Sequence, residues 1–362
     1  MSGIFSSRSD EAEEDISSPA KYHSDWSRIV VRLSEGLGFE SQYVHFGHLS
    51  ARGVSEPFYG LRKAPREWHD TLRKTFAALG FAPSPTDPSL FPRSNPSLPP
   101  FYILVYVDDL VFAITETKAL TLVKAELQKR HTRTDLGELR SYLGLQITRD
   151  RARHTITVNE SHMVHQVLQR FGFQFSLQKS TPLPTGHSLS APPSDESVKP
   201  SGQYPELMGC LITLGMGLVL GGRGLVVLTG HSDDSWADDQ ETQRSCEAEI
   251  YTGAMAAQEL RWLTYLLTDL GERPRSPPNM YVDNKASIAL CREQRVEHRT
   301  KHIALRYFLT QNFQQRGQLR LAYMASWANT ADIFTNALRS GDHQRFCTAL
   351  GLVPTLPHLL TA

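Results

Sequence analysis

Cysteine is scarce in this chain, and so is any surplus of charge. Of 362 residues only Cys210, Cys246, Cys291 and Cys347 are cysteines, widely spaced and without a CxxC pair. That spacing excludes a paired-thiol zinc site and a disulfide scaffold, and suits a reducing compartment. The 38 basic side chains are balanced by 38 acidic ones, for a formal net charge of zero. Proteins that track a nucleic-acid backbone are usually basic, so the overall balance argues mildly against that class and leaves local patches to carry it. No long apolar run is present. The stretch from Leu211 to Leu228 is broken by repeated glycines, and the first residues lack the apolar core of a signal peptide. The expectation is a soluble intracellular protein with no membrane contact.

What is present fits globular domains. Hydrophobic residues make up 40% and charged residues 21% of the chain, near ordinary averages, and the length suffices for two cores. Charge is unevenly placed. Asp10, Glu11, Glu13, Glu14 and Asp15 form an acidic run, whereas Lys285 to Arg320 holds eight Lys/Arg against Glu293 and Glu297.

The polar residues 1–56 read as a leader with little apolar surface to offset ordering, containing one amphipathic fragment (Trp26, Ile29, Val30, Leu33). Trp68, Leu72, Phe76 and Leu79 recur at helical spacing, and Gly80 supplies a stop. Phe101–Ala113 is β-branched and aromatic, broken by Asp108 and Asp109, and predicts two strands around a tight turn. A helix over Thr117–Lys129, strands at Tyr142–Ile147 and Thr155–Val158, and a helix over Ser161–Phe171 follow. Residues 175–203, rich in Ser, Pro and Thr, form the clearest linker. Beyond it the pattern predicts a strand at Val226–Thr229, a long helix over Cys246–Leu270, a strand at Asn279–Val282 and a short helix over Ala286–Cys291. A helix over Thr300–Gln314, a strand at Leu319–Met324 and a helix over Thr330–Ala337 complete it. Helices alternating with short strands give an α/β or α+β class.

The tetrapeptide Tyr106-Val107-Asp108-Asp109 carries the first chemical signal. Neighbouring side chains on a strand point to opposite faces, so two carboxylates in one apolar strand cannot both be surface residues. A turn that presents them to a metal ion resolves the conflict; a hairpin whose turn happens to be Asp-Asp is the plainer alternative.

The order of blocks around it resembles a Ty1/copia-type retrotransposon Pol polyprotein. Tyr59-Gly60-Leu61-Arg62-Lys63-Ala64-Pro65-Arg66-Glu67-Trp68, Asp87-Pro88-Ser89-Leu90-Phe91, the hairpin itself, and Asp135-Leu136-Gly137-Glu138-Leu139 with Tyr142-Leu143-Gly144-Leu145 resemble successive reverse transcriptase blocks. Gly230-His231-Ser232-Asp233, Ser245-Cys246-Glu247-Ala248-Glu249, Tyr281-Val282-Asp283-Asn284, His298-Arg299-Thr300-Lys301-His302 and Asn329-Thr330-Ala331-Asp332 resemble the ribonuclease H region. The resemblance implies a partial reverse transcriptase palm over 57–174, a linker and truncated connection over 175–224, a shortened ribonuclease H-like domain over 225–352 and a tail over 353–362. It implies Mg²⁺ at Asp108 and Asp109, and two Mg²⁺ held by Asp233, Glu249, Asp283 and Asp332. RNA, DNA and RNA–DNA hybrid are the implied partners, with other element-encoded proteins beside them. Arg62, Lys63 and Arg66 and, in the second half, His298, Arg299, Lys301 and His302 would meet phosphates. Trp68 reads as a core residue.

Three stretches of the family pattern are missing. No strand bearing an aspartate precedes the Tyr-Gly-Leu block, since Asp25, Glu35, Glu40 and Glu56 lie in no matching context. A block is missing between Leu211 and Gly215. Only residues 234–248 separate Asp233 from Glu249, where two strands of ~5 residues with their turns need roughly 20. The expectation is therefore lost polymerase activity and a second sheet with an exposed edge. Two readings of the whole stay open: a metal-dependent hybrid ribonuclease, or a non-catalytic remnant that binds nucleic acid through Arg62–Arg66 and Lys285–Arg320; the gaps favour the remnant, with little hybrid cleavage expected.

Overall fold

The computed structural model describes residues 29–34, 40–45, 64–130, 134–170, 216–221, 226–233, 245–292 and 309–354, with the single positions 172 and 181. The first helix, α1 (Ala64–Ala78), exists because Trp68, Leu72 and Phe76 share one face at four-residue spacing. All three are buried, Leu72 and Phe76 completely. That face lies on strands β3 (Leu90–Pro92), β4 (Phe101–Tyr106) and β5 (Asp109–Ile114). Phe91, Phe101, Ile103, Leu110 and Phe112 from the strands, with Leu120, Val123 and Leu127 from α2 (Thr117–Arg130), complete one continuous core.

Residues 29–45 correct the leader as read from sequence. Two strands form there, β1 (Ile29–Ser34) and β2 (Glu40–His45). Strand β2 pairs antiparallel with β5, from Glu40 opposite Ile114 to His45 opposite Asp109, and on its other edge with β6 (Thr134–Glu138). The sheet order is β3-β4-β5-β2-β6. The place beside the Asp-Asp hairpin, expected to be missing, is filled.

A second sheet is assembled from distant parts of the chain. Strands β7 (Ser141–Tyr142), β8 (Leu145–Asp150) and β9 (Thr155–Asn159), followed by helix α3 (Ser161–Arg170), pair onward to β10 (Met216–Gly221). The far edge is β14 (Leu352–Pro354), from the C-terminal end, giving the order β14-β10-β9-β8-β7.

The third sheet runs β1-β11-β12-β13, with β11 (Val227–Ser232), β12 (Asn279–Val282) and β13 (Arg320–Tyr323) parallel to one another. Strand β1 pairs antiparallel along all six residues of β11, Ile29 opposite Ser232 and Ser34 opposite Val227. The expected bare edge of β11 is therefore covered. Helix α4 (Ser245–Asp269) crosses this sheet on a face of small residues, Gly253, Ala254, Ala256 and Ala257. The approach is close. A Cβ on Gly230 of β11 would stand 2.6 Å from Cδ1 of the fully buried Leu260, so any side chain there would have to displace that leucine.

The end of α4 is tied to the first sheet. Ser84 Oγ donates to Asp269 Oδ2 at 2.5 Å, the Thr86 amide donates to the same oxygen at 3.2 Å, and the Tyr102 hydroxyl donates to the Leu270 carbonyl. Burial works against the Asp269 charge, but hydrogen bonds from Ser84 and Thr86 outweigh it and hold the carboxyl below its ordinary value. After β12 come α5 (Lys285–Arg292), a helical stretch at residues 309–315, two short 3₁₀ turns (Ser326–Ala328 and Thr330–Phe334) and α6 (Ser340–Ala349). The helix expected over Thr330–Ala337 is thus a tighter, shorter turn. The first part of the helix expected over Thr300–Gln314 lies outside the described residues.

Candidate metal centre

Parallel pairing sets the centre. Ser232 of β11 is in register with Val282 of β12, and Val282 with Tyr323 of β13. Asp233 and Asp283 each follow the last paired residue of adjacent strands, and neighbouring strands lie about 4.8 Å apart. Two carboxylates thus stand side by side at the carboxyl ends of parallel strands, the end at which such sheets bind ligands. Glu249, in the second turn of α4, brings a third. Ligand oxygens of Asp233, Glu249 and Asp283 all lie within 4.8 Å of one another. Asp233 and Glu249 are buried, and Asp283 is half-buried.

Asp332 is the fourth. It sits in the second 3₁₀ turn, buried, with its Oδ1 lacking a hydrogen-bond partner among the described residues. Burial first, then the carboxylates of Asp233 and Asp283, push its carboxyl up to about 8. All four residues expected from the ribonuclease H resemblance therefore lie together. Among the described residues, Asp233, Glu249 and Asp283 are the group whose atoms converge closely enough to share an ion.

Sequence reasoning missed the residues that aim these acids. Ser326 Oγ donates to Asp283 Oδ2 at 2.6 Å, and the Thr335 hydroxyl donates to Asp233 Oδ2. Asn329 is completely buried and donates from Nδ2 to the Ser232 carbonyl at 3.0 Å, while its Oδ1 accepts from the Ala331 amide. Asn284, one residue past Asp283, caps α5 by accepting from the amides of Ala286 and Ser287 at 2.9 and 3.1 Å. The start of that helix favours the Asp283 charge. Asn329 lies in a block already marked by the resemblance, but no spacing gives its contacts or those of Ser326 and Thr335, which the fold supplies.

The donor set fits a hard divalent cation. Four carboxylates and no nitrogen or sulfur suit Mg²⁺ or Mn²⁺, and the proton held by Asp332 is what a cluster of like charges takes up when no cation neutralises it. A pH dependence follows. Because the folded pKa of Asp332 lies above its unfolded value of 3.8, the native state holds a proton that the unfolded chain releases. The Asp332 contribution to metal-free stability is then full below pH 4, falls as pH rises, and is lost above about pH 8. Thermal melts at pH 5 and pH 8.5 should show a lower melting temperature at the higher pH, and excess Mg²⁺ should reverse most of that difference. Equal melting temperatures at both pH values in chelator would contradict the charge clustering.

The first half of the chain presents a less complete set. Asp108 and Asp109 stand at the end of the β4–β5 hairpin, Asp109 half-buried, with Tyr106 paired to Asp109 across it. Val107 holds a φ of +52°, a left-handed conformation that a β-branched residue adopts only when its surroundings impose it. Part of the imposition is visible, since Trp68 Nε1 donates to the Val107 carbonyl at 2.7 Å. The indole is thus both core residue and clamp on the acidic turn. Burial, then the Asp109 charge and Tyr106, push the nearby Tyr142 phenol up to about 12. The neighbouring strand β2 carries His45 at the position opposite Asp109. Its one acid, Glu40, is five residues away at the other end, about 17 Å along a strand. Arg66 is exposed on α1. Arg62, Lys63, His298, Arg299, Lys301 and His302 lie outside the described residues.

Residues 51–185 match a family described as reverse transcriptase (RNA-dependent DNA polymerase). The retrovirus-related Pol polyprotein from transposon RE1 of Arabidopsis thaliana is 25% identical over 372 aligned positions, covering 84% of this chain and 25% of that protein. A putative transposon Ty5-1 protein of Saccharomyces cerevisiae is 40% identical over 89 residues, 25% of this chain and 29% of that protein. This chain thus spans about a quarter of the length of those relatives. Among solved structures, a foamy viral protease-reverse transcriptase in complex with dsDNA aligns at 11% identity and a TM-score of 0.35, over 81% of this chain and 69% of that one. The sequence matches support an origin in a retroelement reverse transcriptase and ribonuclease H-like polyprotein, and the mixed α/β architecture is consistent with it. Among the described residues no helix is long and apolar enough to cross a membrane.

Proposed function

We propose that this chain is a retrotransposon-derived Pol fragment whose competent centre is the Asp233, Glu249, Asp283 and Asp332 cluster, acting on the RNA strand of an RNA–DNA hybrid. The observation that carries the reading is the convergence of three carboxylates to within 4.8 Å, with a fourth buried beside them. Divalent cations, when bound there, would supply an activated water and stabilise charge on the leaving oxygen. The chain's own share is to hold the acids. Ser326 and Thr335 fix the orientations of Asp283 and Asp233, and Asn329 fixes the strand end from which Asp233 projects. Such preset geometry avoids reorganisation during reaction. Cation binding must displace the proton that burial and the neighbouring carboxylates hold on Asp332, so activity should rise with pH.

Polymerisation is assigned as lost. Two acids on the β4–β5 hairpin need a third on the neighbouring strand to hold two ions, and β2 offers His45 there. The alternative is a non-catalytic binding remnant, which the hydroxyls still orienting Asp283 and Asp233 favour less than a working centre. The deciding experiment incubates the full chain with Mg²⁺ and an end-labelled RNA–DNA hybrid, with a primed RNA template alongside. Internal RNA cleavage that chelator abolishes, without primer extension, is the expected result. Intact RNA would leave the binding remnant, and extension lost on Asp108→Asn would overturn the assignment for the hairpin.

A further inference from the structure

The most exposed aromatic side chain among the described residues stands beside the acidic cluster. Trp327 is 72% exposed, at the middle of the Ser326–Ala328 turn. An indole left in water is commonly a chance surface residue, but the turn that carries this one is held from three directions. Its carbonyl accepts from the Arg345 guanidinium at 2.5 Å. The residue before it, Ser326, bonds Asp283, and Asn329, two residues after it, bonds the backbone next to Asp233. The contacts that place the carboxylates therefore also place the turn that carries the indole.

Its neighbours share a pattern of aromatic faces and cations. Tyr323, at the end of β13, is 47% exposed with Lys285 Nζ 4.6 Å from its ring centre. The Arg345 guanidinium carbon lies 5.9 Å from the Trp327 ring, and the same group donates to Asp342 at 3.2 Å. Phe334, in the turn that carries Asp332, is 37% exposed. Exposed aromatic rings with interleaved cations suit a ligand that offers flat rings or sugar faces alongside repeated negative charge. An A-form-like hybrid presents this in its wide, shallow minor groove, where riboses and phosphates are accessible.

We infer that Trp327, supported by Tyr323, Lys285 and Arg345, forms a sequence-independent contact surface for the sugar–phosphate face of an RNA–DNA hybrid, seating it over the acidic cluster. The inference rests on the hybrid-directed reading above and adds the residues that hold the substrate. It accounts for an indole that packing does not require, carried on the turn whose residues orient the acids.

The test measures binding apart from cleavage. A fluorescein-labelled hybrid is titrated by anisotropy in Ca²⁺ buffer with the full chain, Trp327→Ala and Trp327→Phe, and a labelled single-stranded DNA serves as a second ligand. Trp327→Ala should weaken hybrid binding by about 5- to 150-fold, the range set by losing one aromatic contact to nucleic acid. Trp327→Phe should retain most affinity, and melting temperatures should not change because the side chain is mainly exposed. Unchanged hybrid affinity in Trp327→Ala overturns the proposal, as does a loss confined to single-stranded DNA or a wild-type chain that binds no hybrid. If binding depends on Trp327 while Mg²⁺ yields no cleavage, the contact surface stands and the hydrolytic reading falls. Cleavage that is intact and indifferent to Trp327 does the reverse: the hydrolytic reading stands and the contact surface falls.

Discussion

Glu249→Gln should yield a protein that melts at a higher temperature without metal and barely cleaves hybrid with it. Both effects come from one charge. Carboxylate oxygens within 4.8 Å of one another repel by about 3 kcal/mol per ionised pair at an effective dielectric of 20. The proton on Asp332 relieves part of this, so about 1–2 kcal/mol is the gain expected from neutralising Glu249, or a few degrees in melting temperature for a domain of this size. The amide keeps the shape of the acid, and helix α4 is untouched. Cleavage, by contrast, loses a ligand and a charge where phosphoryl transfer needs both, a loss on the order of 10²–10³-fold. Opposite signs for stability and activity are the mark of a site kept for chemistry at the expense of packing. Cleavage within about threefold of wild type, an effect too small for a lost electrostatic contact, or a lower metal-free melting temperature, would remove Glu249 from the centre.

Residues whose setting is local were legible in the sequence. The apolar run broken by Asp108 and Asp109 could only be a hairpin with its acids at the turn, and β4 and β5 meet there. Asp233 and Asp283 were named from the resemblance of their blocks to the ribonuclease H region, and parallel pairing of β11 with β12 brings the two strand ends together. Strands β1 and β2 were not readable. Ile29–Ser34 holds four apolar residues in six, a pattern that suits a helix fragment as well as a strand. Glu40–His45 is mostly polar. Each becomes a strand through partners far along the chain, β11 for one and β5 with β6 for the other, and no local pattern encodes a partner. Trp68 shows a subtler miss. Its spacing gave its burial, but an indole N–H also needs an acceptor, and that acceptor is the carbonyl of Val107, 39 residues away.

Removing residues 1–46 should cost the protein its cooperative fold, although none of the residues removed belongs to the proposed catalytic set. Strand β1 supplies the six-residue partner of β11, the strand that leads into Asp233, and β2 lies between β5 and β6. A backbone hydrogen bond contributes about 0.5–1.5 kcal/mol net, so losing either strand removes several kcal/mol from a total of roughly 5–15. It also bares two sheet edges, which recruit other chains. A chain starting at residue 47 should therefore lose its sharp melting transition and aggregate. Point substitutions refine the test. Successive N–H groups of an edge strand face opposite sides, so of Val30→Pro and Val31→Pro only one removes a hydrogen bond to β11. That variant should lose about 3 kcal/mol or more, together with hybrid cleavage, while the other stays closer to wild type. If both prolines are harmless, or if the chain starting at residue 47 melts and cleaves like the full one, β11 needs no partner from residues 29–34 and its edge is protected by something else.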